Sequence, residues 1–234
     1  PSGPLLRAIC SLGVSPFLNQ MAMFLVQITL NNTLTYYGAL SHYGEDIPLA
    51  CVGVISKVNI LMLGFTLGIS QGCQPIFSYN YGARQYSRVR EAYRKAIVAA
   101  SIICCIAFVC FQLFPRPIVA LFDPSGSEEY FQFAERYFRI YMFMTLANAF
   151  QPITANFFTS IGKAKRGALI ALTRQVIFLI PLILIFPLFL GIDGVMYAGP
   201  IADSAAVGVA LALGTREMKR MPHVDEPVAA DTLV

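Results

Sequence analysis

The residues with chemical potential stand out because their surroundings are apolar. Asn19, Gln20, Gln27, Asn31 and Asn32 sit in a stretch from Ala8 to Gly44 that holds no Asp, Glu, Lys or Arg. Lys57, Asn59, Gln71 and Gln74 interrupt a second apolar run, and Asn148, Gln151 and Asn156 a third. Arg174-Gln175 opens a further one, and Asp203 lies in the last. In hydrocarbon each such group needs a partner or a water-filled cavity, because an unsatisfied polar group there costs several kcal/mol. Any single amide reads as an interhelical hydrogen bond. The set reads as the lining of a polar cavity, since a bundle packed only for stability does not need so many. Arg174 can reach the interface by extending its stem. Asp203 reads equally as a functional carboxylate or as a partner for Arg174 or Lys57.

Enzyme chemistry finds no constellation. Gly68-Ile-Ser-Gln-Gly72 has the form of a nucleophile elbow, but an elbow needs a preceding strand and a histidine in reach. The two histidines, His42 and His223, fall in a loop and in the tail. Cys10, Cys51, Cys73, Cys104, Cys105 and Cys110 match no metal-ligand spacing and read as small packing residues kept reduced. Asn31-Asn32-Thr33 is formally a glycosylation sequon at the end of a span and is taken as chance.

The elements that carry these groups follow from composition. The 234 residues are 56% hydrophobic and 13% charged, about half the charge of a soluble domain. A soluble reading would need a larger core than this length encloses. There is too much apolar surface for disorder, and a scattered net charge of +4 makes no nucleic-acid footprint. The reading is an all-α polytopic membrane protein. Charge-free runs of about 20 residues give six transmembrane helices at roughly 11–36, 47–77, 93–114, 131–158, 167–190 and 193–214. Residues 1–214 form the bundle and 215–234 a tail. Alternate loops are basic (Arg84, Arg88, Arg90, Arg94, Lys95; Lys163, Lys165, Arg166) and acidic (Glu45, Asp46; Asp123, Glu128, Glu129, Glu135; Asp193). The positive-inside rule then places both ends in the cytoplasm of a cell inner (plasma) membrane protein. Pro16, Pro75, Pro152, Pro181 and Pro200 fall within spans or at their ends, where bends are tolerated. Gly64, Gly68 and Gly72 make a ridge that permits close helix approach. Ser125, three residues before Glu128, suggests a capping box. The chain starts without Met and without a signal peptide, which reads as a cut through a longer chain or a processed end.

Several segments then resemble one family. Gly72-Cys-Gln-Pro75-Ile-Phe-Ser-Tyr-Asn80-Tyr-Gly82-Ala83-Arg84 is similar to the segment that closes the eighth helix of MATE (multidrug and toxic compound extrusion) transporters. Gly13-Val-Ser-Pro16-Phe-Leu and Leu30-Asn-Asn-Thr-Leu34 resemble the seventh helix, and Phe150-Gln151-Pro152 with Phe157-Phe-Thr-Ser-Ile-Gly162-Lys the tenth. Thr173-Arg174-Gln175 and Ile180-Pro181-Leu resemble the eleventh, Gly191-Ile-Asp-Gly194-Val and Pro200-Ile-Ala-Asp203 the twelfth. The likeness spans residues 8 to 220 and is nearest the bacterial MepA-like branch.

The resemblance implies the C-terminal six-helix lobe of a twelve-helix MATE-type transporter that faces an N-terminal lobe across a central cavity. It implies a secondary multidrug antiporter, not an enzyme, that sits among membrane lipids and exports cationic or amphipathic drugs by alternating access in exchange for Na+ or H+. It implies no resident cofactor. Some members carry an acid in the seventh helix; Asn19 to Phe24 has none here, so the coupling ion is expected in the N-lobe. The cavity candidates are Asn19, Gln20, Gln27, Gln71, Asn148, Gln151 and Asn156, with the intramembrane charges Lys57, Arg174 and Asp203 and no metal site. Met21, Met23, Met142 and Met144 would add adaptable apolar surface. Two readings stay open beside this one: a lipid-linked oligosaccharide flippase of the same superfamily, which needs a more cationic cavity, and an inactive half-transporter remnant.

Overall fold

The computed structural model describes residues 3–124, 126–222 and 225, and the side chains of all of these except residues 4–16, 147 and 148. Among them there is helix and turn and no strand. The order is α1 (Gly3–Ala39), α2 (Asp46–Gly82), α3 (Tyr86–Leu113), a short α4 (Pro115–Phe122), α5 (Glu128–Tyr141), a 3₁₀ segment (Met142–Ala149), α6 (Phe150–Ser160), α7 (Ala164–Leu172), a π-helical segment (Thr173–Leu179), α8 (Ile180–Leu190) and α9 (Ile192–Arg220). Among the described residues, four rods are long and apolar enough to cross a bilayer on those grounds alone: Asp46–Gly82, Tyr86–Leu113, Ala164–Leu190 and Ile192–Arg220. The protein is a multi-pass, all-α membrane protein. Large apolar side chains such as Leu121, Leu188, Phe189 and Ile106 are exposed, as a surface facing hydrocarbon requires.

Two expected spans are not regular helices. The run expected over 131–158 is carried end to end by α5, the 3₁₀ segment and α6. Pro152 has no N–H and its ring crowds the carbonyl four residues back. The chain upstream tightens, Met144 leaves helical angles (φ −88°, ψ 15°), and the Thr145 hydroxyl donates to the Met142 carbonyl at 2.6 Å. The run expected over 167–190 holds the π-helical turn. Thr173 Oγ1 donates to Leu169 O at 2.6 Å, and the Ile180 N–H reaches back five residues to Gln175 O. Pro181 follows and cannot restore the regular ladder. The wide turn brings both Arg174 and Gln175 into the bundle, the latter 8% exposed.

Other boundaries also differ. Ser127, not Ser125, caps α5: its side chain accepts from the Tyr130 N–H at 3.2 Å, while Ser125 lies outside the described residues. Arg116 holds Glu128 with two hydrogen bonds, of 3.2 and 2.7 Å, and thereby keeps that exposed carboxyl below its usual range. Part of the loop read as basic is helical: Arg88, Arg90, Arg94 and Lys95 belong to the first turns of α3. On its first turn Ser87 donates to Asp225, whose carboxyl is held below its usual value by those bonds. The last helix continues past 214 to Arg220.

That extension has a cause. Glu217 is 2% exposed and is clamped by Lys163 and by Arg166 Nη1 (2.6 Å), both from the α6–α7 connection and the start of α7. Replacing Lys163 and Arg166 together by Ala leaves a buried carboxylate without a counter-charge. The expected loss is about 3–5 kcal/mol, read as a lower thermal midpoint in detergent. Lys163→Ala alone should cost much less, because Arg166 remains.

The core is aromatic and centres on α2, α3 and α6. Phe77, Tyr93, Phe157 and Phe158 form a continuous set of ring contacts at 5.0 to 6.4 Å, and the Tyr93 and Thr154 hydroxyls share a 2.7 Å hydrogen bond. The glycine ridge does not serve this packing. A Cβ at Gly64, Gly68 or Gly72 would meet nothing within 4 Å, and all three glycines are exposed among the described residues. Close approach is made by other glycines. A Cβ at Gly167 would lie 2.6 Å from the Ala155 carbonyl oxygen, which is why α6 and α7 form a tight hairpin.

Candidate ligand-binding cleft

Between α1, α2 and the far wall of the bundle lies a cleft of about 130 Å³. Its polar lining comes from four directions. Gln27 projects from α1 and Asn59 from α2, Tyr137 and Tyr141 from α5, and Arg174 and Gln175 from the π-helical turn. Met23, Ile60 and Leu63 supply apolar wall.

The aromatic side is built by spacing. Phe133, Tyr137 and Tyr141 recur every four residues on one face of α5, so their rings stack in a ladder. The centroid separations are 6.0 and 5.7 Å, at interplanar angles of 16° and 12°. Gly199 on α9 completes this wall. A Cβ there would lie 2.6 Å from the Tyr141 ring, so only glycine lets α9 pack flat against it. One turn further along α9, Asp203 faces the π-helical turn and accepts from Arg174 Nε at 2.5 Å. The side chains are 13% and 8% exposed. Tyr141 lines the cleft beside this pair. Arg174 and Asp203 together carry zero net charge, the arrangement in which a buried charge is tolerated within a membrane.

The expected residues divide into groups. Gln27 lines the cleft and donates from Nε2 to Asn31 Oδ1 at 2.9 Å. Arg174 lines it and Asp203 braces it, well inside α9, whereas Lys57 is exposed and pairs with neither. Asn156 and Gln151 sit elsewhere and join helices. Asn156 Nδ2 donates to Ser70 Oγ at 2.7 Å, Ser70 donates to the Pro152 carbonyl at 3.1 Å, and Gln151 Nε2 reaches the Ile170 carbonyl at 3.4 Å. Gln20 and Gln71 are exposed on the bundle surface and Asn19 is half-buried, all three outside the cleft. The Asn148 side chain lies outside those described. Of the four methionines, Met23 lines the cleft, Met21 is exposed and Met142 is buried. Tyr137 and Tyr141 were not among the expected site residues. Their signal was the four-residue aromatic repeat from Phe133, hidden among Glu135, Arg136 and Arg139 at the edge of the span.

A multi-pass helical bundle with a polar cleft braced by a buried ion pair defines a membrane transport protein more readily than an enzyme. The comparisons give the family. A model of the MatE family matches residues 20–185, and the chain belongs to that family of transporters. It is 23% identical over 206 residues to the multidrug export protein MepA of Staphylococcus aureus, covering 87% of this chain and 43% of that protein. It is 22% identical over 213 residues to MepA of Staphylococcus haemolyticus, with 90% and 44% covered. Its fold matches a MATE-family multidrug resistance transporter of the MOP superfamily in two conformations. The outward-facing structure gives a TM-score of 0.82 at 21% identity over 94% of this chain and 48% of that one. The inward-facing structure gives 0.78 at 20% identity, over 94% and 50%. The chain therefore spans about half the length of the relatives it matches.

Proposed function

We propose that this chain forms one lobe of a secondary multidrug export carrier, which moves cationic or amphipathic compounds out of the cell by alternating access in exchange for Na+ or H+. The second half of the cavity comes from another lobe, and both ends of this segment lie on the cytoplasmic side. The observation that carries the reading is the cleft: amide, phenol and guanidinium groups from four helical elements converge inside a bundle otherwise faced with apolar side chains. The length of the relatives, about twice that of this chain, supports a partner lobe. The likeness of the lobe to both outward- and inward-facing structures supports rocking of rigid halves. The flippase reading is less favoured, because a pyrophosphate calls for several cations and, among the described residues, Arg174 is the one cation that lines the cleft. The coupling ion falls to the other lobe in this scheme, since Asp203 is held by Arg174.

The test is export of ethidium from efflux-deficient cells that express the protein from its own gene. Export above background, abolished by collapse of the ion gradients, is the expected result. Gln27→Ala and Asn59→Ala should each lower it by roughly threefold to tenfold at unchanged membrane level, the effect of one hydrogen bond of about 1 kcal/mol. Cells that retain the dye despite full membrane insertion would leave the remnant reading in its place.

A further inference from the structure

The charge that faces the cleft is positive. Arg174 lines it, Asp203 does not, and no Asp or Glu lines it among the described residues. Asp203 takes the Nε–H, which leaves further donors on a guanidinium that has five. Tyr137 adds an independent observation. It lines the cleft and is 1% exposed, and its buried hydroxyl meets no hydrogen-bond partner among the described residues. A buried hydroxyl in that condition is rare in a folded protein and is satisfied when a ligand brings an acceptor. The cleft lining thus holds a guanidinium and an uncommitted phenol, both suited to a group that accepts hydrogen bonds.

We infer that this cleft recognises the anionic group, a carboxylate or sulfonate, of an amphipathic compound whose apolar body rests on Met23, Ile60 and Leu63. The inference rests on the export reading above and names the part of the cargo that this lobe holds. The sign of the selectivity follows from the ion pair. An anion approaches Arg174 from the cleft while Asp203 stays bonded behind it. An ammonium would have to reach Asp203, which does not line the cleft, and would break the pair to do so. Charge-assisted hydrogen bonds from a guanidinium are strong and directional, and those to a carboxylate are often bidentate. Lys57 is exposed and does not line the cleft, so it does not compete for the ligand there.

Three probes with one ring system isolate the charge: 2-naphthoate, 2-naphthamide and 2-naphthylmethylammonium, titrated by calorimetry into the purified full chain. The naphthoate should bind at least about tenfold more tightly than either of the others. The double variant Arg174→Gln with Asp203→Asn keeps the buried contact neutral, so it should fold, and it should erase that preference. Tyr137→Phe should weaken naphthoate about threefold to tenfold and leave the ammonium probe unchanged. An ammonium probe that binds as tightly as naphthoate, a preference that survives the double variant, or binding of none of the three would overturn the inference. Dye export by the same protein is read separately: its loss would overturn the carrier reading, while its presence beside any of those results would overturn only the anion site.

Discussion

Asp203→Ala should cost about 3–5 kcal/mol of stability and silence export. The reason is the guanidinium left behind. Arg174 is 13% exposed at its side chain, within a span, and Asp203 is the carboxylate that neutralises it. Arg174→Ala should be nearly as damaging, since it strands Asp203 on α9. The double change Arg174→Met with Asp203→Leu removes both charges, and replacing a buried pair by apolar groups of similar volume is often neutral or stabilising. It should therefore recover most of the lost thermal midpoint in detergent, with export still at background. Recovery of export by the apolar pair would show that the ion pair only holds α9 against the π-helical turn. Single variants as stable as the parent would show that the charges are solvated and unpaired.

A second large effect is expected at the α8–α9 turn. A Cβ at Gly194 would fall 2.5 Å from the Phe186 carbonyl carbon and 2.6 Å from both Phe186 O and Pro187 N. All three are backbone atoms, so no rotamer relieves the clash. The turn itself has little slack, because Gly191 sits at φ 59°, ψ −139°, where a side chain is strained. Gly194→Ala should push α8 and α9 apart and cost at the upper end of the about 1–3 kcal/mol typical of overpacking. The shift would carry Gly199 and Asp203 away from Tyr141 and Arg174, so export should fall with stability. Gly208 on the same helix is the control. Its Cβ would meet nothing within 4 Å, and Gly208→Ala should be neutral or gain up to about 1 kcal/mol from helix propensity. Equal effects at the two glycines, in the thermal midpoint of the solubilised protein, would contradict the close packing of α8 on α9.

The division between what hydropathy and charge disclosed and what they did not has a physical cause. A bilayer demands about 20 apolar residues per crossing, so the rods from Asp46, Tyr86, Ala164 and Ile192 were legible in the runs without charge. Hydropathy is blind to which carbonyl an N–H bonds. The 3₁₀ stretch at Met142–Ala149 and the π-helical turn at Thr173–Leu179 therefore went unseen, although Pro152 and Pro181 mark where the regular ladder fails. Arg174, Asp203 and Gln27 were legible as polar groups in apolar runs; Gln27 and Arg174 line the cleft, and Asp203 pairs with Arg174 without lining it. The same signal also picked out Gln151 and Asn156, whose amides join helices, because a bonded amide and a lining amide look alike in a sequence. Tyr137 and Tyr141 were missed because a tyrosine is counted among the hydrophobic residues and does not stand out as a polar group in an apolar run. The glycine ridge at Gly64, Gly68 and Gly72 suggests a packing surface, yet among the described residues it is exposed and a Cβ there would meet nothing within 4 Å.

The central claim is that the cleft around Gln27 faces a transport pathway open in turn to both sides of the membrane. Gln27→Cys in a cysteine-free version of the native chain tests it directly, with a membrane-impermeant maleimide applied to right-side-out or inside-out vesicles. Labelling from both sides, slowed by a transported compound, is the predicted result. A cysteine at 27 that reacts from neither side, or from one side only under every condition of ligand and ion gradient, would contradict it.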